Sequence, residues 1–192
     1  MVIQGGEFDE IGIDRLRGHG SVKWSTFPDT IGAFVAEMDF GIAPPITDAL
    51  HTAVDTGQFG YLPRRIDRDM ADAYAQWAAT AYGWQVEPAS VRPIADVLDG
   101  LKIAIERFSR PGSAIVLPTP AYMPFRTVPH SHNRAIIEVP MADDGERLVY
   151  DFDALDRAFA DGGGLLVLCN PHNPTGRDMQ RDELAEDRKS VV

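Results

Sequence analysis

The sequence predicts an α/β protein built on a parallel or mostly parallel sheet with helices on both faces. Three observations predict it. From Val91 onward, short apolar segments alternate with segments of helical period. The short segments, such as Ala114–Leu117 and Leu165–Cys169, are continuous apolar runs. Strands buried on both faces look like this, whereas a half-solvated antiparallel sheet alternates polar and apolar residues. Composition agrees: 44% hydrophobic against 24% charged residues suits a globular chain with a real core.

The elements follow in order. Residues 1–30 carry scattered Gly, Asp and Arg without a period and read as an extended arm. Ile31–Phe40 is mixed, and Pro44-Pro45 punctuates the chain. Pro45–Thr56 reads as a helix, with proline near its start, Ile46, Ala49, Leu50 and Ala53 on one face and Gly57 past its end. Gln58–Arg65 is a loop holding Phe59 and Tyr61. Asp67–Tyr82 is a helix: Met70, Ala73, Tyr74, Trp77, Ala78 and Ala81 recur at helical spacing, and Gly83 closes it. Tyr74, Trp77 and Trp84 are expected to pack on or beside that helix.

The alternating part then runs Val91–Ala95 strand, Val97–Phe108 helix, Ala114–Leu117 strand, Tyr122–His132 loop and short helix, Ala135–Val139 strand, Asp153–Ala160 helix and Leu165–Cys169 strand. Gly162–Gly164 precedes the last strand and so lies at the wrong edge of the sheet for a phosphate. No internal repeat is present. Three regions result: 1–57 as an arm and part of a small domain, 58–186 as part of a larger domain, and 187–192 as a non-native tail. The tail, Asp187–Val192, does not continue the pattern of the helix that Glu183–Glu186 begins. The same hexapeptide is encoded by one frame of a common sequencing-library adapter.

Charge and cysteine content narrow the function. Eighteen Lys+Arg against 29 Asp+Glu give a net charge of −11. Nucleic acid and anionic membrane are therefore not expected as partners, because their phosphates would be repelled. A single cysteine, Cys169, allows no internal disulfide and no cysteine-based zinc cluster. The longest clean apolar run, Leu165–Cys169, is too short to cross a bilayer. MVIQGGEFDE lacks the apolar core of a signal peptide. A reducing, cytoplasmic setting is expected.

Ligands of open α/β sheets bind beyond the carboxyl ends of the strands. After Val91–Ala95 come Asp96, Val97 and Leu98, a helix start whose N–H groups and dipole favour a phosphate. The bland alternative is an ordinary turn with Asp96 as N-cap. After Ala114–Leu117, three prolines stiffen PTPAYMPF and fix Tyr122, a ring able to stack on a planar ligand or simply to pack. After Leu165–Cys169, NPHNPTG forces a rigid irregular turn that presents the Asn173 amide. A phosphate cup, a ring and an amide suit a flat, phosphorylated heteroaromatic cofactor. A nicotinamide dinucleotide would require Gly-x-Gly-x-x-Gly, which is absent.

These motifs are recognisable. PTPAYMPF followed by CNPHNPTG resembles the fold-type I pyridoxal 5'-phosphate (PLP) enzymes of the aspartate aminotransferase superfamily. Lys23-Trp24, VAEMDFG, FGY, PTPAYMPF and LCNPHNPTGR together resemble its cystathionine β-lyase (C–S lyase) branch, related to MalY and PatB, from about Phe8 to Glu186. The resemblance implies an incomplete three-layer αβα PLP-transferase major domain, preceded by an arm or small-domain segment. It implies that Tyr122 stacks on the pyridine ring and that Asn173 hydrogen-bonds its phenolic oxygen. Asp96, Val97 and Leu98 would hold the phosphate, chiefly through backbone N–H groups. Tyr61 would reach the phosphate of a neighbouring subunit's cofactor, which implies a homodimer. The Ala36 backbone would lie near the substrate carboxylate.

Two departures stand out. Glu37 sits where the branch often has Asp, and Asp96 puts an anion beside a phosphate, so its side chain is expected to turn away and cap the helix. The implied reaction is α,β-elimination from an amino-acid thioether to pyruvate, ammonia and a thiol. The family's Schiff-base lysine falls beyond the end of the chain, as do the acidic partner of the pyridine nitrogen and the arginine that clamps the carboxylate. Of the three lysines, Lys23, Lys102 and Lys189, none has the expected context, so the chain as written is expected to be inactive. Class I/II aminotransferase is the nearest alternative and a non-catalytic interaction protein the alternative of another class. His130 and His132 lack a third ligand and read as a solvent-exposed loop, with no metal site expected. Cys169 reads as a small buried hydrophobe. Asp39 reads as structural, and His172 has no legible role.

Overall fold

The computed structural model describes residues 10–190, and the side chains of residues 10–185. Residues 1–9, assigned above to the arm, and Val191–Val192 of the tail lie outside the described residues. The chain forms two compact units that divide between Ile66 and Asp67, rather than after Gly57.

Among the described residues, the first unit includes the helices α1 (Ile13–Gly18), α2 (Val22–Ser25) and α3 (Pro44–Asp55). Residues 10–30 are therefore not an extended arm. α1 and α2, six and four residues long, are too short for an apolar period to register in the sequence. α3 starts on Pro44, whose missing N–H costs nothing at a helix start. The stretch between α2 and α3, residues 26–43, has no helix or strand. Leu16 is the one buried large hydrophobe among the described residues of this unit.

α4 (Arg64–Tyr82) leads into the second unit, burying Ala71 and Ala78. Tyr74, Trp77, Tyr82 and Trp84 meet ring to ring along and just beyond it. After a 3-10 turn at Pro88–Ser90, the strand expected at Val91–Ala95 is not formed. Pro93 lacks the N–H that a ladder needs, and Ile94 is left exposed. Then follow α5 (Val97–Phe108), β1 (Ala114–Thr119), α6 (Pro124–Ser131), β2 (Ile136–Pro140), β3 (Ala142–Asp143), β4 (Leu148–Val149), α7 (Phe152–Ala160), β5 (Gly163–Leu166) and α8 (Arg181–Ser190). The α8 backbone passes through Asp187 without a break.

The main sheet has the order β2-β1-β5, and both pairings are parallel. Ile115 lies opposite Ile136 and Leu165, and Val116 opposite Ile137 and Leu166. β3 and β4 form a separate antiparallel pair. Alternation along β1 sorts its side chains onto two faces. Val116 joins Val139, Leu155 and Ala158 on the α7 side. Ile115 and Leu117 join Ile105 of α5, Val128 of α6 and Val167 on the other. A sheet between two helix layers results, the αβα arrangement expected.

Pro118 is tolerated inside β1 for a readable reason. Ile115 N–H and Thr119 C=O bond toward the β2 side, and Val116 C=O toward the β5 side. Pro118 therefore faces β5, whose pairing ends at Leu166. Gly163 and Gly164 are part of β5, not a turn before it. A Cβ on Gly163 would stand 2.5 Å from Val116 Cγ2 and 2.8 Å from the Ala158 carbonyl, so close packing requires glycine there.

Candidate active site

α5 and β1 are joined by a short turn and run back to back. The start of α5 therefore lies at the carboxyl edge of the sheet, where the segments after β1 and β5 also emerge. Leu98 of α5, Ala121 and Phe125 after β1, and Val167 after β5 all pack in or against one apolar cluster. The turn that bears Asn173 leaves the same edge but packs through His172 on Tyr150, on the α7 side of the sheet.

At the α5 start, Asp96 turns its carboxylate back and accepts the N–H of Asp99 at 2.8 Å. This capping leaves the N–H groups of Val97 and Leu98 as first-turn donors without an intrahelical acceptor. Val97 itself is 79% exposed. Asp99 is engaged by Lys102 Nζ at 2.6 Å, which offsets its charge beside the helix end.

Beyond β1, Tyr122 is 43% exposed. Phe125 meets it edge-to-face at 5.5 Å, so a ring rooted in the core supports the exposed one. Sequence reasoning fixed Tyr122 by its prolines and missed Phe125.

Beyond β5, the turn is held from inside. His172 is 3% exposed, its Nδ1 shares a hydrogen bond of 2.8 Å with Thr175 Oγ1, and its ring stands edge-on to Tyr150. Tyr150 Oη donates to the Cys169 carbonyl at 3.1 Å, and Asn170 Oδ1 accepts the Met179 N–H at 2.9 Å. Arg177 bonds back across the turn to His172 and pairs with Glu183. Burial first, and the Arg177 charge second, hold the His172 imidazole below its ordinary pKa, so it is neutral near pH 7. The neighbouring Asn173 is exposed. His172, left without a role from the sequence, is the internal prop of this turn; an apolar-to-histidine exception inside NPHNPTG was its only local signal.

Ala36 and Tyr61 belong to the other compact unit; Ala36 is exposed and Tyr61 fully so, at 102%. Cys169 is half-buried, not buried, because strand pairing has ended before it, and its thiol donates to the Pro171 carbonyl. His130 and His132 lie at the end of α6 rather than in a loop; His132 Nδ1 is 3.0 Å from the Val128 carbonyl. Lys23 is bound to Asp39 and Lys102 to Asp99. No helix among the described residues is long and apolar enough to cross a membrane.

The donor set tests well against a flat phosphorylated ring. Two first-turn N–H groups suit a phosphate, the exposed Tyr122 offers a π-face, the Asn173 amide is a donor, and of the two adjacent anions Asp96 is tied up in its cap and Asp99 is paired with Lys102.

Residues 35–187 match the model of the family "Aminotransferase class I and II". A cystathionine β-lyase of Corynebacterium glutamicum is 39% identical over 175 residues, covering 91% of this chain and 45% of that protein. The cystathionine β-lyase PatB of Bacillus subtilis is 34% identical over 174 residues, covering 87% and 44%. The crystal structure of cystalysin from Treponema denticola, which contains a pyridoxal 5'-phosphate cofactor, superposes with a TM-score of 0.77 at 25% identity, covering 90% of this chain and 46% of that one. The chain spans about half the length of these relatives.

Proposed function

The chain belongs to the class I and II aminotransferase family, and from that membership we propose that it contributes the cofactor-binding part of a PLP-dependent carbon–sulfur β-lyase. The substrate class is an amino acid with a β-thioether, such as cystathionine. Water and the thioether yield pyruvate, ammonia and the free thiol. One observation supports the reading: the start of α5, the segment after β1 that bears Tyr122 and the segment after β5 that bears Asn173 all lie beyond the same carboxyl edge of the sheet.

When bound, PLP supplies an electron-withdrawing ring that stabilises negative charge at the substrate's α-carbon. The chain's own residues hold and orient. The Val97 and Leu98 N–H groups, with Asp96 facing away, take the phosphate. The Tyr122 ring covers one face of the pyridine and keeps water from it. The Asn173 amide donates to the phenolic oxygen, fixing the in-plane rotation. Tyr61 reaches the phosphate in a partner subunit of a homodimer. A reducing cytoplasm suits its lone thiol.

The test is product analysis on the full product of the gene, supplied with PLP and cystathionine. Pyruvate and ammonia in equal amounts are expected. The family also contains aminotransferases, and amino transfer to a 2-oxo acid without pyruvate release would establish that second reading instead. Tyr122→Ala should weaken PLP binding about threefold to tenfold, the loss of one stacked ring; unchanged binding would remove Tyr122 from the site.

A further inference from the structure

The turn after β5 spends its polar side chains on itself, with one exception. Cys169 donates its thiol to the Pro171 carbonyl, Asn170 Oδ1 accepts the Met179 N–H, and Arg177 pairs with Glu183. His172 Nδ1 and Thr175 Oγ1 share a bond of 2.8 Å. Among the described residues, Asn173 is the one hydrogen-bonding side chain from Cys169 to Arg177 without a partner, and it is exposed. His172 closes the loop on which Asn173 stands. The His172 N–H donates to the Arg177 carbonyl at 2.7 Å and its carbonyl accepts the Gly176 N–H at 2.6 Å, so residues 173–175 are strung between two backbone bonds. Pro174 disfavours a helical backbone at Asn173. The imidazole is 3% exposed and stands edge-on to Tyr150 at 5.9 Å. Its bond to Thr175 is the one side-chain crosslink inside the loop among the described residues. A buried, fixed ring beside an exposed, unpartnered amide is an arrangement that presents the amide.

We propose that His172, acting through Thr175, is the positioning residue that aims the Asn173 amide at the cofactor ring. This rests on the PLP reading, which gives Asn173 that ligand, and adds the side chains that hold the amide in place. His172 is buried and acts through its neighbours. Tyr150 anchors its ring, and the Tyr150 hydroxyl is itself tied to the Cys169 carbonyl before the turn. Thr175 carries the anchoring to the far side of the loop, two residues beyond Asn173. Removing the imidazole leaves both backbone bonds available, so the loop stays closed while its tip is freed. An amide free to swing loses the orientation that a hydrogen bond requires.

A double-mutant cycle tests this, read by PLP binding to the full product of the gene with no turnover involved. Asn173→Ala should weaken PLP about tenfold, the loss of one hydrogen bond. Thr175→Val should weaken it about threefold to fivefold, and His172→Ala by a similar factor; Thr175→Ser should keep the original affinity. Thr175 is exposed, so its substitution carries the test independently of the buried ring. In the Asn173→Ala background neither change should weaken PLP further, because both act through that amide. The visible absorption band of bound PLP should move in the same direction in Thr175→Val as in Asn173→Ala. Amide hydrogen exchange in β1 should stay as it is in Thr175→Val, the mark of a local effect. Unchanged affinity in Thr175→Val, faster exchange in β1, or losses that add to that of Asn173→Ala overturn the proposal and leave the PLP reading intact. Full affinity in Asn173→Ala, or no PLP binding by the unsubstituted protein, sinks the assignment of Asn173 and this inference with it.

Discussion

The two compact units are held together by different physics. In the second, β1 is sandwiched between apolar clusters, and Ile105, Ile115, Val116 and Leu117 are removed from water almost completely. In the first, Leu16 alone among the described large hydrophobes is buried, while Ile31, Phe34, Met38, Ile42 and Ile46 stay exposed. There the contacts include the bonds of Asp39, Lys23, Trp24 and Glu37 and the edge-to-face pair of Phe27 and Phe34. Burial is non-directional and tolerates small shifts; a set of charged hydrogen bonds is directional and fails as a unit. The comparison teaches that burial orders the sheet unit, while directional bonds carry much of the order in the irregular segment.

The largest effect expected is in the apolar unit. Leu117→Ala should cost about 3 kcal/mol, the transfer and cavity cost of a buried leucine, measured by denaturant unfolding. Exchange over residues 31–41 should not change; if it rises in step, the two units are not independently held. Next comes a polar peg inside the apolar unit. Arg134 Nη1 donates to the Arg110 and Ser113 carbonyls at 2.6 and 2.9 Å, and Nη2 to the Ile105 carbonyl and Ser109 Oγ at 3.2 and 2.8 Å. These bonds tie the α5–β1 turn to the start of β2. Arg134→Ala should cost about 2 kcal/mol in the same unfolding assay, and a cost near zero would make burial sufficient by itself there.

The smallest effect is a slope. Because His172 has a lower pKa folded than unfolded, the unfolded chain binds its proton first as pH falls. Its contribution is complete above about pH 6.5 and is lost progressively as pH falls from there toward the folded value. His172→Gln should flatten that part of the acid limb in melts between about pH 7.5 and 5. An unaltered limb would mean that the turn is not propped by a neutral imidazole.

Legibility followed the same division. α5 was readable to the residue, Val97–Phe108, because its cap and its apolar face are both local. Tyr122 and Asn173 were readable as site candidates because prolines fix them within a few residues. β5 was misplaced because Gly163 and Gly164 look like loop in one dimension; only the approach of Val116 and α7 explains them. The Val91–Ala95 strand failed because β-branched composition outweighed Pro93 in the reading but not in the ladder.

By itself the sequence determined the α/β class of the second unit and the bounds of helices such as α5. Apolar period, caps and prolines act within a few residues, and no distant partner is needed to read them. Tertiary structure decided which groups meet: Lys23 with Asp39, His172 with Tyr150, Arg134 with the end of α5. Such partners lie many residues apart, and hydrogen-bond direction depends on the folded backbone, which no local pattern encodes.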